Sequence, residues 1–547
     1  MKIIIDGKEM EVKDNSTVFD LVDNSEKKII GCRINNVAKP LSTILREGDS
    51  VGLLSINDNG GVRIYRSSLR FVVAMAVKNI LPKKKIIFNF SVSRSIFAQI
   101  IGLGHPLSLD LFIKIKKEVQ RIIDADLPIN HIEKNKEDVI KFYESVGYYD
   151  KIQMLKYEPS DILSLYECDG YMNYLYSPLV PSTGYLKKYA LKQYAPGFLI
   201  SYPRKELGGE IPQFEDEKNF RAALKEANRW SNTINADSIA RVNQLIESGS
   251  ALELINLCET RHNAQLTHLG DKIENNIENI KVICVAGPSS SGKTTFTNRL
   301  RIELMSRGID PLMISMDNFY KSSDYPLDEE GKPDYEHINS LNLELFDETI
   351  LKLVSYEEAR LPIFDFHTKE VKFTEPIKLG KNQPILLEGI HALNPLIIPS
   401  IPDENKYRVY IAPLGQLRYD CHTPISISDL RLMRRMVRDH FTRSTSVERT
   451  IDTWSSVRKG EFKWIYPHQS NADFVFNSEL TYEVPVMKKY LIPLLNTVDP
   501  NTKAYNTSTR LLKYLSYFED ISDKWIPSNS ILREFIGDSI FYTEDKK

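Results

Sequence analysis

The sequence predicts an α/β fold in which a parallel, doubly wound sheet is preceded by a small β-rich domain and by an α+β region. First, the apolar run Val282–Ala286 leads into a loop of small residues and then into an amphipathic helical segment. Second, apolar strand-like runs alternate with helical patterns from 281 to 480, which is typical of parallel sheets. Third, short apolar runs alternate with turn signals before residue 60, which predicts further strands.

Composition narrows the class of protein. The chain has 547 residues, of which 42% are hydrophobic and 26% charged, as in ordinary globular proteins. A net charge of −2 gives no global electrostatic reason to expect nucleic acid or an anionic membrane as a partner. The five cysteines are scattered without a C-x-x-C pair, which argues against a zinc site or a disulfide framework. With no long apolar run and a polar start, a cytoplasmic protein is expected.

The N-terminal half shows elements without evident chemistry. Residues 1–60 predict a β-rich domain with one helix, and residues 109–123 and 136–146 predict amphipathic helices in a mixed α/β region. From 214 to 278 apolar residues recur every three or four positions, which predicts a connecting layer of helices. The residues after 481 also read as helical.

The loop after Val282–Ala286 matches the pattern G-x-x-x-x-G-K-[ST] in the required context of strand, loop and helix. Small residues let backbone N–H groups approach phosphate oxygens, and the helix N-terminus adds partial positive charge. We expect Lys293 to reach the β- and γ-phosphates of ATP and the Thr294 hydroxyl to ligate Mg²⁺. The predicted phosphate-binding residues are Gly287, Ser289, Ser290, Ser291, Gly292, Lys293, Thr294 and Thr295.

Two acids close predicted strands. Asp317 follows the second strand of the sheet, where a carboxylate can meet both the γ-phosphate and an acceptor hydroxyl, so it is the candidate general base. Glu388 ends the third strand, as a Walker-B carboxylate does, and is expected to hold Mg²⁺ with Thr294. Lys293, Asp317 and Glu388 form the predicted catalytic set.

Aromatic residues stand beside carboxylates and histidines in two later loops. One loop holds Tyr335, Glu336 and His337, and the other holds Phe364 and His367. Aromatic faces stack on planar bases and carboxylates accept hydrogen bonds from sugar hydroxyls, so this mixture suits a nucleoside or another polyol. Ordinary loop packing is the alternative interpretation.

Arginines cluster on one predicted helix. Arg431, Arg434, Arg435 and Arg438 fall at i, i+3, i+4 and i+7, which places all four on one face. A stripe of guanidinium donors suits a lid over the transferring phosphate, with Arg443 at its end. An RNA-binding helix or a plain surface helix remains open.

Together these motifs resemble the uridine kinase (uridine–cytidine kinase) and phosphoribulokinase family over residues 281–480. The resemblance implies that Asp317 is the catalytic aspartate and that Glu336 binds the ribose hydroxyls. It also implies that Tyr320 and Tyr335 line the nucleoside site and that the arginines Arg431, Arg434, Arg438 and Arg443 form a basic lid. This sequence departs from the simple kinases by carrying Glu336 in place of Asp and a shorter loop at 364–367.

The whole chain is also similar to a longer uridine kinase-like group that carries a TGS module and a threonyl-tRNA-synthetase-like domain. In those synthetases a His-x-x-x-His pair serves editing, whereas residues 65–69 here contain no histidine. The domains implied are a TGS-like β-grasp domain at 1–60, a synthetase-like domain at 61–205, a helical connector at 206–280, a kinase domain at 281–480 and a helical extension at 481–547.

The leading hypothesis is ATP-dependent phosphorylation of the 5′-hydroxyl of uridine or cytidine, with Mg²⁺ as the second cofactor. One alternative keeps the kinase but changes the acceptor to another small hydroxylated metabolite. A third hypothesis is a nucleotide-sensing regulator that contacts RNA or the ribosome through the N-terminal domains. The oligomeric state stays open.

Overall fold

A computed structural model describes residues 1–23, 26–328, 331–365 and 368–541. The chain begins with a five-stranded mixed sheet in the order β2-β1-β5-β3-β4, in which β1 and β5 are parallel. This arrangement confirms the β-grasp part of the predicted fold class. Its elements are β1 (Lys2–Ile5), β2 (Lys8–Glu11), α1 (Val18–Leu21), β3 (Gly31–Ile34), β4 (Val37–Lys39) and β5 (Ser50–Leu54).

The second region is built around one long helix, α2 (Asn59–Ile80), whose residues from Ser67 to Val77 are all buried. Because α2 begins at Asn59, the predicted boundary between residues 60 and 61 falls in its first turn. A Cβ on Gly61 would lie 1.8 Å from the Ser55 carbonyl oxygen, so glycine permits the close approach that starts this helix. The remaining elements are β6 (Lys85–Val92), β7 (Ser95–Ile101), α3 (Leu109–Asp124), β8 (Asn130–Asn135), α4 (Lys136–Val146), α5 (Tyr149–Leu155), β9 (Ile162–Cys168), β10 (Tyr171–Tyr174), β11 (Ala190–Tyr194) and β12 (Gly197–Ser201).

Three helices connect this region to the second half of the chain, as the periodicity of residues 214–278 predicts. They are α6 (Lys218–Thr233), α7 (Ile239–Glu247) and α8 (Ala251–Glu274). Helix α8 buries Leu254, Ile255 and Leu269, which recur at the spacing of one helix face. That face joins the core beneath the following sheet.

The second half holds a five-stranded sheet in the order β14-β17-β13-β18-β21, with every pair parallel. This confirms the doubly wound sheet. Central β13 is buried at every residue because helices cover both faces of the sheet. The elements are β13 (Val282–Ala286), α9 (Lys293–Met305), β14 (Leu312–Ser315), α10 (Leu343–Val354), β15 (Pro362–Phe364), β16 (Val371–Phe373), β17 (Ile385–Glu388), β18 (Lys406–Ala412), β19 (Arg418–Asp420), β20 (Thr423–Pro424), α11 (Ile427–Arg443), α12 (Val447–Gly460) and β21 (Phe474–Asn477).

The C-terminal extension packs against the sheet domain. Its helices are α13 (Glu483–Leu495), α14 (Tyr505–Leu515) and α15 (Arg533–Ile536). Helix α11 contacts α12, α13 and α15, so it is covered on several sides. Within residues 1–23, 26–328, 331–365 and 368–541, no helix is long and apolar enough to cross a membrane.

The hairpin β19–β20 joins the two halves of the molecule. The Lys151 ammonium lies 2.6 Å from the Asp420 carboxylate, and the two side chains are 2% and 1% exposed. The N–H of Cys421 donates to Asp150 at 2.8 Å, and Arg70 donates to the His422 carbonyl at 3.0 Å. These buried polar contacts fix the N-terminal half against the parallel-sheet domain.

Replacing Lys151 by Met leaves the buried Asp420 carboxylate without its cation. We expect Lys151→Met to lower the free energy of unfolding by about 3–5 kcal/mol, the usual result of breaking a buried ion pair from one side. The double variant Lys151→Met/Asp420→Asn removes both charges and keeps an acceptor for the His422 N–H, so it should recover most of the loss. Chemical denaturation of both variants measures this, and equal losses in both would contradict the explanation.

Candidate active site

The phosphate loop connects the buried centre of the sheet to helix α9. A Cβ on Gly287 would lie 2.1 Å from the Ile411 carbonyl oxygen, so the loop can leave β13 only through glycine. Gly292 has a φ of +90° and precedes the first residue of α9, Lys293. The loop therefore holds the helix N-terminus at the carboxyl edge of the sheet, where doubly wound folds bind ligands.

Three hydroxyls of the loop region lack partners. The Oγ atoms of Ser290 and Ser291 and the Oγ1 of Thr295 are buried and have no hydrogen-bond partner among the residues described. Buried polar atoms are normally satisfied, so an unpaired group calls for an explanation such as a missing ligand. Ser290 and Ser291 line the cavity at the helix N-terminus, so their hydroxyls fit the phosphate groups that the loop pattern predicts, whereas Thr295 is fully buried behind it.

Asp317 and Glu388 end neighbouring strands beside the loop, as predicted. Asp317 lies in the 3₁₀ turn Met316–Phe319 that directly follows β14. Glu388 is the last residue of β17 and pairs in register with Ser315 on one side and Val285 on the other. Parallel strands thus bring both carboxylates to the same edge as Lys293.

Electrostatics couple these groups. Asp317 keeps contact with solvent in the cavity, yet the surrounding protein raises its pKa by burial, against the pull of Lys293, Arg443 and Arg438. Burial raises the pKa of Glu388 to about 7, again against the pull of Lys293. Burial also lowers the pKa of Lys293, whose ammonium folds back to donate to the Gly287 carbonyl at 3.1 Å. Burial thus disfavours the charged form of all three groups, and the attraction between Lys293 and the two carboxyl groups opposes that effect.

Glu336 and Tyr320 form the opposite wall. Burial raises the pKa of Glu336, while Arg435 and Lys293 oppose that shift. A Cβ on Gly460 would lie 2.5 Å from the Glu336 Cβ, so α12 packs closely behind this carboxylate. The Tyr320 hydroxyl donates to the Tyr335 carbonyl at 2.9 Å and holds the two chain segments together.

The other predicted acceptor residues lie farther out. Tyr335 is 48% exposed, and its ring packs on Tyr325 at 4.9 Å between centroids. The His337 ring accepts the Asn339 N–H at 3.0 Å and packs against Trp464 instead of facing the cavity. Phe364 is buried against the Tyr320 ring. His367 falls outside the described residues.

The expectation of one arginine stripe facing the phosphate is wrong for Arg431 and Arg434. Arg431 is 1% exposed and pairs with Glu461, and Arg434 is fully buried and pairs with Glu483 at 2.5 Å. Both also donate to loop carbonyls: Arg431 to Ser289 at 2.9 Å, and Arg434 to Ser290 and Ser291. The physical reason is that α12, α13 and α15 cover this side of α11, so these guanidiniums support the loop from behind.

The remaining arginines of α11 do face the cavity. Arg435 donates to the Ser289 hydroxyl at 2.9 Å and lies 3.1 Å from Asp439. Arg438 and Arg443 lie 2.7 and 3.6 Å from the same carboxylate. One buried Asp439 thus gathers three guanidiniums, which leaves surplus positive charge for an anion. Arg435 belongs to the predicted stripe, and its contact with the Ser289 hydroxyl brings it directly against the phosphate loop.

Glu534, on the C-terminal helix α15, is the functional residue that sequence reasoning missed. Its carboxylate accepts the Thr295 N–H at 3.0 Å, across 239 residues of chain. A Cβ on Gly292 would lie 2.4 Å from Ile531, so the same segment packs directly on the phosphate loop. In the sequence this stretch reads only as part of the helical extension after residue 481.

These groups share one cavity of about 830 Å³. Its walls are formed by the phosphate loop, by two acids at strand ends, and by Tyr320 and Glu336 of the opposite wall. Three arginines of α11 and Glu534 of the C-terminal extension complete them. The residues that line the cavity include Ser289, Ser290, Ser291, Gly292, Lys293, Thr294, Asp317, Tyr320, Glu336, Glu388, Arg435, Arg438, Arg443 and Glu534. A donor phosphate and a hydroxylated acceptor can therefore meet in one cavity.

The site also suits a hard divalent cation. Mg²⁺ prefers oxygen ligands and keeps several waters, so it needs only one or two protein oxygens. Thr294 and Glu388 both line the cavity, so a hydroxyl oxygen and a carboxyl oxygen are available there. Within the described parts of the chain, no group of three or more His, Cys, Asp or Glu forms a dedicated metal site.

Comparison with known proteins identifies the family of this part of the chain. The sequence profile of the phosphoribulokinase/uridine kinase family matches residues 282–485. A uridine kinase of Ligilactobacillus salivarius (strain UCC118) is 30% identical over 196 residues, which cover 36% of this chain and 83% of that protein. The chain belongs to the phosphoribulokinase/uridine kinase family. Family membership and the phosphate loop together support a P-loop kinase that binds a nucleotide.

The N-terminal part matches a different group. A threonine–tRNA ligase of Nitratidesulfovibrio vulgaris (strain DP4) is 23% identical over 201 residues, which cover 36% of this chain. The chain spans only 31% of that ligase. A solved structure described as a possible uridine kinase from Bacillus stearothermophilus aligns with 38% of this chain and 100% of its own at 18% identity. The TM-score of this alignment is 0.23.

Neutralising Glu534 tests its place beside the phosphates. Glu534→Gln keeps an acceptor for the Thr295 N–H but removes a negative charge near the loop. We expect ATP to bind about threefold to tenfold more tightly in the presence of EDTA, since one charge in a half-buried site is worth on the order of 1 kcal/mol. Isothermal titration measures this, with Glu519→Gln as the control because Glu519 is exposed on the same extension. Equal affinities in Glu534→Gln and wild type would contradict the placement.

Proposed function

We propose that this chain transfers the γ-phosphate of ATP to the 5′-hydroxyl of a pyrimidine nucleoside, uridine or cytidine. The observation that carries the proposal is the single cavity in which the phosphate loop faces Asp317, Glu336 and Tyr320. The similarity to a uridine kinase over most of that protein's length supports the nucleoside as acceptor. ATP and Mg²⁺ are the cofactors of this proposal.

Asp317 acts on the acceptor. Its position after β14 lets it orient the attacking hydroxyl and accept the proton as the new bond to phosphorus forms. Glu336 accepts hydrogen bonds from the ribose hydroxyls, and Tyr320 closes the side of the nucleoside pocket. The Glu in place of the simple kinases' Asp is one methylene longer, so the sugar sits farther from the chain at residue 336.

The other residues act on the transferring phosphoryl group. Lys293 leaves its carbonyl contacts to meet the phosphates, while Arg435, Arg438 and Arg443 supply donors for the equatorial oxygens. The Thr294 hydroxyl and Glu388 hold Mg²⁺, which when bound neutralises charge on the β- and γ-phosphates. The loop N–H groups keep the donor aligned with the acceptor. Positioning and charge stabilisation thus provide most of the catalysis.

A panel of nucleosides decides the acceptor. With ATP and Mg²⁺, we expect purified full-length protein to phosphorylate uridine or cytidine and to leave purine nucleosides and free sugars largely unreacted. Chromatography of the nucleotide products measures the outcome. If no pyrimidine nucleoside reacts while another hydroxylated metabolite does, the protein is a kinase but the proposed acceptor is wrong.

A second candidate is a nucleotide-sensing regulator that contacts RNA or the ribosome. The similarity of the N-terminal part to threonine–tRNA ligases favours it. Co-purifying RNA whose binding weakens with salt would support this function. An RNA-free preparation that turns over a nucleoside would favour the kinase.

Removing the Asp317 charge separates chemistry from binding. We expect Asp317→Asn to lower kcat by about 10²- to 10⁴-fold, the usual contribution of a general base, with little change in ATP affinity. Asp310→Asn is the matched control, because Asp310 is an exposed acid before β14. Turnover near the wild-type value in Asp317→Asn would remove Asp317 from its proposed role.

The pH dependence follows from the same carboxyl group. The pKa of Asp317 is raised above its ordinary value of 3.8, so its base form is lost at a higher pH than for a free aspartate. We therefore expect the kcat of the wild type to fall on the acid side, with a midpoint above the ordinary aspartate pKa of 3.8. Stopped assays across pH measure this limb, and its persistence in Asp317→Asn would assign it to another group.

A further inference from the structure

A second cavity lies between the N-terminal half and the kinase domain, behind the phosphate loop. Its volume is about 470 Å³, within the range of small-molecule sites. Its walls come from α2, the β6–β7 turn and the segment after β12 on one side, and from β18, α11 and α12 on the other. The buried contacts of Lys151, Cys421 and Arg70 fix these walls against each other.

The cavity is strongly cationic. Seven arginines line it, against the two carboxylates Glu215 and Glu217. Four of the arginines, Arg204, Arg418, Arg431 and Arg458, have carboxylate partners. Arg66, Arg70 and Arg94 have none within ion-pair distance in the described structure, and the buried Nε atoms of Arg66 and Arg70 also lack hydrogen-bond partners. Arg70 is only 4% exposed and donates through its Nη atoms to the His422 carbonyl and the Ser67 hydroxyl, so its Nε alone is unsatisfied.

Aromatic rings complete the walls. Arg94, Arg204 and Arg458 all stack near the Phe462 ring, at 4.7, 5.6 and 4.6 Å from its centroid. Tyr202 and Tyr466 line the same space. Burial alone would raise the pKa of each tyrosine, yet nearby arginines outweigh burial and lower it. The local potential is therefore positive enough to stabilise an anion next to planar rings.

We propose that this interdomain cavity binds a small phosphate ester that carries a planar ring, at a site separate from the kinase centre. The guanidiniums of Arg66 and Arg94, with the Nε of Arg70, supply donors that match phosphate oxygens, and the aromatic walls supply faces for the ring. The size of the cavity suits a ligand such as a nucleoside monophosphate. This inference is independent of the acceptor proposed above.

The cavity shares its floor with the phosphate loop. Pro288 and Arg431 line it, and Arg431 donates to the Ser289 carbonyl at 2.9 Å. Glu461, which pairs with both Arg431 and Arg458, accepts the Ser289 N–H at 3.1 Å. A ligand that contacts Arg431 or Arg458 therefore meets the residues that position Ser289, which gives a physical route between the two cavities.

Titration calorimetry of the full chain tests the site with uridine monophosphate as the probe. The background Lys293→Ala/Glu336→Gln weakens binding in the kinase cavity, so the remaining heat reports the second site. In that background we expect one site per chain, weakened about tenfold or more by Arg66→Gln or Arg94→Gln. Arg229→Gln, at an exposed arginine on α6, should leave it unchanged. Uridine and inorganic phosphate should each bind at least tenfold more weakly than the probe.

Distinct results overturn the proposal. If no binding persists in the background, or if it persists unchanged in both arginine variants, the cavity is not the site. If inorganic phosphate binds as tightly as the monophosphate, the part that assigns a planar ring is wrong. Thermal unfolding checks each variant, and Arg66 and Arg94 are suitable because neither makes an ion pair within the described residues. If one variant loses its unfolding transition, the other decides.

Discussion

The buried carboxylate of Glu461 connects the parts of this molecule on which the kinase site depends. It pairs with Arg431 from the helix behind the phosphate loop and with Arg458 from the next helix, and it accepts the Ser289 N–H. A buried charge is tolerable only when its partners are in place, so these three elements cannot move independently without a large energetic cost. The π-helical turn Glu461–Ile465 places the carboxylate there, between helix α12 and the 3₁₀ turn Tyr466–Asn471.

The same constraint divides helix α11 into two functions. Its covered side supports the loop carbonyls through Arg431 and Arg434, and its open side presents Arg435, Arg438 and Arg443 around Asp439. Arginines that are already paired cannot swing freely as a lid. Only the open side is left to respond to a nucleotide. Its three guanidiniums share the single carboxylate of Asp439, so moving them toward a ligand breaks weaker contacts than breaking three separate ion pairs would.

What the sequence could predict follows from the range of the interactions. The phosphate loop, Asp317 and Glu388 were predictable because each lies next to a strand, and parallel strands bring their ends together. The burial of Arg431 and Arg434 was not, since the spacing on a helix shows which residues share a face and not what covers that face. Glu534 reaches Thr295 across 239 residues, so no local pattern could reveal it. The interdomain cavity likewise exists only because two separate halves pack together.

The phosphate loop therefore has two surfaces with different chemistry. Its front combines N–H groups, unpaired hydroxyls and carboxylates, which suits a nucleotide with a divalent cation and a hydroxylated acceptor. Its back rests on Pro288, Arg431 and Glu461, which belong to the wall of a cationic, aromatic cavity shared with the N-terminal half. Because the N-terminal half packs against the kinase domain, the chain contains a second cavity that a kinase domain alone would lack.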